Sequence, residues 1–196
     1  MANTDAARGF QAVDNLSGAG YSGRLKKVAF ASGDSTAAFK GSLVKYTGAS
    51  LNNGEIPVVT LASPADTKLV GAIVSFEPQR GGNFNTYHRT ASTERIAYIP
   101  ADPKTLYMVQ EDSVGGSMST SAVIGQNVDF TAESGSTVTG YSTMELDSST
   151  VADTAALPIR LQNVVERSDN LGGTGDSNAA WIVSINQTAE LNTTGT

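Results

Sequence analysis

The sequence predicts an all-β protein: a mostly antiparallel barrel or sandwich body with an extended N-terminal arm and long loops. Three observations predict it. Helical periodicity is absent, since no stretch of twelve residues carries apolar groups at i, i+3, i+4 and i+7. Short strand-like runs recur instead, punctuated by Gly, Ser, Asn, Asp and Pro. Charged residues make up only 16% of the chain, while glycine takes 20 of 196 positions, a composition of strands and turns.

The runs follow one another at the spacing of an all-β domain. The first covers 25–31, with Val28 and Phe30 on one face. Runs at 43–47 and 56–62 follow, and 69–76 is apolar on both faces, which predicts a central strand. Residues 95–99 and 106–111 are close enough to pair across a turn at 100–104. Residues 127–132 alternate, Val128 and Phe130 inward and Asp129 and Thr131 outward. Runs at 144–147, 157–165 and 181–185 complete about ten strands, with Trp181, Val183 and Ile185 sharing a face. A single helical turn fits near 121–124.

Residues 1–23 contain few apolar groups and four glycines, and read as an arm ahead of a β-rich body at 24–190, with a tail at 191–196. Residues 77–94 form a long polar connection holding Phe84, Tyr87 and His88, and 168–178 form a glycine-rich loop.

Composition excludes several function classes. There is no cysteine, so no disulfide framework, thiolate metal site or thiol nucleophile exists. With 13 Lys+Arg against 19 Asp+Glu and no basic run, the chain is a poor nucleic-acid binder. No apolar stretch is long enough to span a bilayer as a helix. The first residues lack the basic start and apolar core of a secretion signal, so folding in a cytoplasm is expected.

The motifs that could carry chemistry are weak. Gly18, Gly20 and Gly23 match G-x-G-x-x-G, but a strand follows where a phosphate-binding helix is needed, so a turn is expected. His88 is the only histidine, too little for a multi-histidine metal site, and it is expected at a surface or interface between Tyr87 and Arg89. Glu111 with Asp112, Glu145 with Asp147, and Asp153 are scattered acids, without the loop order of a calcium site or a cleft to span. No catalytic, cofactor-binding or metal-ligating residue is therefore assigned. Trp181 reads as core.

Several segments, in order along nearly the whole chain, carry a resemblance. They are Asn-Thr-Asp-Ala-Ala-Arg-Gly-Phe at 3–10, Val-Gly-Ala-Ile-Val-Ser-Phe-Glu-Pro at 70–78, and Ala-Tyr-Ile-Pro-Ala-Asp-Pro at 97–103. Leu-Tyr-Met-Val-Gln-Glu-Asp-Ser at 106–113, Met-Glu-Leu-Asp-Ser-Ser-Thr at 144–150 and Ala-Trp-Ile-Val-Ser-Ile-Asn at 180–186 follow. In these the chain resembles the head decoration, or structural cement, proteins of tailed phages and prophages. Members of that family often carry a histidine soon after the final Ile-Asn, where Gln187 and Thr188 stand here, so no role for it carries over. The resemblance implies attachment to the outside of an icosahedral shell, at junctions of the major capsid protein. It also implies self-association as dimers or trimers, residence in the virion, and no catalytic residues.

Such a task needs multivalent surface burial rather than chemistry. Arg8 and Phe10 in the arm, and Phe84, Tyr87, His88 and Arg89 in the 77–94 loop, are the candidate contacts, because Arg and aromatic groups are the usual interface anchors. The rival readings are another virion component (head fibre, tail or baseplate), a carbohydrate-binding adhesion module, and a hydrolase with scattered acids.

Overall fold

The computed structural model describes residues 3–64, 66–78, 87–114, 118, 120–132, 135–170 and 177–191. Its strands, in chain order, are β1 (Gln11–Asn15), β2 (Leu25–Phe30), β3 (Ala38–Phe39), β4 (Leu43–Leu51), β5 (Ile56–Leu61), β6 (Leu69–Ala72) and β7 (Ser75–Phe76). Then come β8 (His88–Arg89), β9 (Arg95–Pro100), β10 (Thr105–Gln110), one helical turn α1 (Thr120–Val123), β11 (Asn127–Phe130), β12 (Leu146–Ala152), β13 (Ile159–Val164) and β14 (Ala180–Ile185).

Two six-stranded sheets make a sandwich-like body. The first is antiparallel throughout, in the order β1-β10-β14-β13-β11-β12. The second runs β6-β4-β5-β2-β9-β7 and is mixed, because β2 and β5 are parallel. Its end strands β6 and β7 are separated in sequence only by Ile73 and Val74. The sheet therefore rolls to bring its two edges together, but no ladder joins them and no closed barrel forms among the described residues. A third, two-stranded ladder pairs β3 with β8.

Each sheet encloses apolar side chains, and one core ties the two together. Trp181, Val183 and Ile185 on the inward face of β14 pack with Phe130, Leu146, Leu161 and Phe10, and with Leu43, Ala62, Leu69 and Ala72 from the second sheet. The rolled sheet holds its own cluster of Val28, Phe30, Val44, Val59, Ile73, Phe76 and Ile99. Burying each such side chain stabilises the fold by roughly 1.5–3 kcal/mol, so these faces hold the sheets in place.

Three expectations change. Residues 69–76 are not one central strand; the run breaks into β6 and β7 at opposite ends of the sheet. It is apolar on both faces because it lies between the cores: Leu69 and Ala72 face one, Val70, Ile73 and Phe76 the other. Residues 95–99 and 106–111 do not pair with each other. β9 pairs with β2 and β7, β10 with β1 and β14, and 101–104 carries the chain from one sheet to the other. Within that crossover the Ala101 and Thr105 amides donate to Arg24 and Asp102 carbonyls.

The N-terminal segment is not wholly an arm. Phe10 is 1% exposed, edge-on to Tyr107 and Phe130, and β1 forms the edge of the first sheet with a bulge between Ala12 and Asp14. At the other end of the chain, the Glu190 carboxylate accepts hydrogen bonds from Lys26 and Tyr46.

Candidate partner-contact surface

The residues expected to meet a partner fall into three groups. Phe10 is core, so it cannot be a contact; an apolar ring flanked by Tyr107 and Phe130 is worth more buried than exposed. His88 and Arg89 are also buried, at 9% and 0% exposure, and the expectation that they form surface is corrected. His88 stacks on Phe39 with ring centroids 5.3 Å apart. The Arg89 guanidinium lies over the Phe30 ring and donates to the carbonyls of Ala31, Asp34, Thr36 and Thr93. A fully buried cation is tolerated only with such a set of partners. Phe84 lies outside the described residues. Arg8 and Tyr87 are exposed, and they belong to one patch.

Backbone pairing builds that patch. β3 and β8 pair Ala38 with Arg89 and Phe39 with His88, so the next step of the register sets Lys40 opposite Tyr87. Residues 40–42 are gripped from the other side by the loop carrying Tyr141. The Lys40 amide donates to Gly140 O at 2.9 Å, and the Ser142 amide donates to Lys40 O at 2.8 Å. Gly140 lets this loop lie against Tyr87: a Cβ there would stand 2.6 Å from the Tyr87 carbonyl oxygen.

Arg8 arrives from the N-terminal segment. The chain crosses residues 40–42 with Gly9 against Gly41, where added Cβ atoms would come within 2.6 Å and 2.5 Å of facing carbonyl oxygens. The Phe10 amide then donates to Gly41 O at 2.9 Å, pinning the crossing.

The result is a set of two cations and two phenol rings. Lys40 Nζ stands 4.6 Å from the Tyr141 ring centre and 5.5 Å from that of Tyr87, and the Arg8 guanidinium carbon is 5.9 Å from the Tyr141 ring centre. Cations over rings at an exposed site gain about 0.5–1 kcal/mol each, enough to bias the side chains without burying them. Lys40 and Tyr141 carry no local sequence signal, being 101 residues apart; only the register and the bridge between them bring them together.

The acids do not converge into a reactive pair with these groups. Asp112 accepts from Val114 and Ser148, and Asp147 from Ser149, so both brace turns. Glu111 is fully buried at the seam where the first sheet's last strand returns to the end of β10. Burial pushes its carboxyl up to about 7, against the pull of the Met118 and Ala179 amides. Among the described residues no group of three or more metal-ligating side chains occurs. The glycines at 18–23 lead into β2, not a helix, and Gly20 among them borders a cleft of about 310 Å³ with Ala101, Asp102 and Pro103.

Comparison with family models, curated proteins and solved structures finds no match to this chain.

Proposed function

We propose that this chain is a non-enzymatic virion protein that sits on the outer surface of a tailed-phage head and cements its major capsid subunits. The observation that carries this reading is the Arg8–Lys40–Tyr87–Tyr141 patch, in which exposed Arg8 and Tyr87 flank half-buried Lys40 and Tyr141, held by backbone hydrogen bonds on a β body. Arginine and tyrosine supply large contact area at low entropic cost. The ordered sequence resemblance supports the same reading. Self-association as a dimer or trimer would repeat the patch and slow dissociation through multivalency. The partners are then the major capsid protein and further copies of this chain, with no nucleic acid, membrane or cofactor.

The test is sedimentation of the purified protein with empty heads assembled from the cognate major capsid protein. Saturable co-sedimentation in a fixed ratio to capsid subunits is expected. Protein that stays in the supernatant at every concentration would overturn the proposal.

A carbohydrate-binding module is the second reading, favoured by the two accessible tyrosine rings. Cations already occupy positions over those rings, which hinders sugar stacking, so the head-binding reading is preferred. A glycan array separates the two, since only the second predicts retention there.

A further inference from the structure

We infer that the Arg8–Lys40–Tyr87–Tyr141 patch is an acceptor for the side-chain carboxylates of an acidic polypeptide segment on the partner. This rests on the reading of the patch as a contact surface and adds the chemistry of what it contacts.

The first argument is electrostatic. The chain carries six more acids than bases, yet two cations share the Tyr141 ring. Five of the ten other cations among the described residues have a carboxylate: Lys26 pairs with Glu190, Lys27 with Glu77, Lys45 with Asp66, Arg89 with Asp34 and Arg167 with Asp169. Among the described residues neither Arg8 nor Lys40 does. Two like charges converging on one ring repel each other, and an incoming anion relieves that repulsion.

The second argument is geometric and selects the anion. Phosphate sites rely on several free backbone N–H groups converging on the anion. Here the amides of residues 40–41 and 140–142 are engaged: Lys40 N with Gly140 O, Gly41 N with Ile73 O, Gly140 N with Ser136 O, Tyr141 N with Thr139 Oγ1 and Ser142 N with Lys40 O. What remains is side-chain charge beside ring surface. That suits single carboxylates on a chain whose neighbouring methylenes rest on the tyrosines.

The experiment follows amide and side-chain NMR resonances of the labelled full chain during titration. The probes are a capped hexapeptide alternating glutamate and aspartate, its glutamine/asparagine counterpart, inorganic phosphate and a DNA duplex. Saturable shifts at Arg8, Lys40, Tyr87 and Tyr141 with the acidic peptide alone are expected. They should weaken about ten-fold in the Arg8→Gln/Lys40→Gln double variant, whose folded spectrum away from the patch should match the parent's, since neither side chain is buried. No shift at the patch, or equal shifts with phosphate or duplex, would overturn the inference.

A parallel head-sedimentation arm separates the two proposals. Wild-type retention that falls about ten-fold in the double variant and with added salt supports both. Equal retention of both proteins overturns the carboxylate inference alone. Failure of the wild type to bind overturns head attachment, and the peptide titration then decides the inference by itself.

Discussion

Arg89 fastens the 31–36 connection to the 90–93 turn. Its guanidinium donates to Ala31 O at 2.9 Å, Asp34 O at 2.7 Å and Thr36 O, its Nε donates to Thr93 O at 2.8 Å, and Asp34 Oδ1 lies 3.5 Å away. Lysine has three donors on one atom and cannot reach carbonyls in this fan, so Arg89→Lys strands several buried acceptors. A loss of about 3 kcal/mol is expected, read as a lowered urea midpoint at unchanged slope.

Glu111 gives a residue-scale effect of the opposite kind. Its folded carboxyl titrates near 7 against an ordinary 4.5, because burial disfavours the charge. The native state therefore holds a proton that the unfolded chain releases between those values. Stability should fall as pH rises from about 4.5 to about 7, by on the order of 2–3 kcal/mol from this group, and level off above. Glu111→Gln keeps one acceptor for the Met118 and Ala179 amides but cannot ionise. Its stability should lack that slope, and parallel denaturation curves for both proteins between pH 4.5 and 7.5 would refute the assignment.

At the scale of elements, the crossing of Gly9 over Gly41 ties β1, β3 and the patch into one unit. Gly41 has φ of +87°, and its Cβ would sit 2.5 Å from Arg8 O. Gly41→Ala thus combines left-handed strain with a backbone clash, and about 2–4 kcal/mol of destabilisation is expected in thermal or urea melts. The same substitution should displace Arg8 from Tyr141 and shift the resonances of both.

This crossing also shows what the sequence makes legible. Alternation identified the core side chains Val128 and Phe130 of β11 and Trp181, Val183 and Ile185 of β14, because period-2 patterning is a local property, but Asp129, expected outward, is buried as well. The polar makeup of residues 1–23 concealed Phe10 and β1, because one buried ring and the Phe10 N to Gly41 O bond anchor an otherwise unremarkable strand. Arg8 and Tyr87 were readable as exposed contact types, but Lys40 and Tyr141 were not. Their pairing depends on the β3–β8 register and on Gly140, which are properties of distant segments meeting. His88 and Arg89 were misread for the same reason: a polar loop composition does not reveal that two of its residues form a ladder under Phe39 and Phe30.

The whole molecule behaves as one unit because its cores are linked through shared strands. β4 and β6 contribute Leu43, Leu69 and Ala72 to the core around Trp181, and their opposite faces contribute Val44 and Val70 to the core of the rolled sheet. Neither sheet can open without exposing residues of the other, so unfolding should be two-state despite two sheets. Trp181 is the only tryptophan and is fully buried in the first of these cores, which makes its fluorescence a reporter on that side. Ile99 is buried in the other core, on β9, and is absent from the cluster around Trp181. Ile99→Ala leaves a cavity costing about 2–5 kcal/mol. If the cores are coupled, this variant lowers the urea midpoint of Trp181 fluorescence and of far-UV circular dichroism together and by the same amount. An unchanged fluorescence midpoint beside a shifted dichroism midpoint would mean that the rolled sheet unfolds alone.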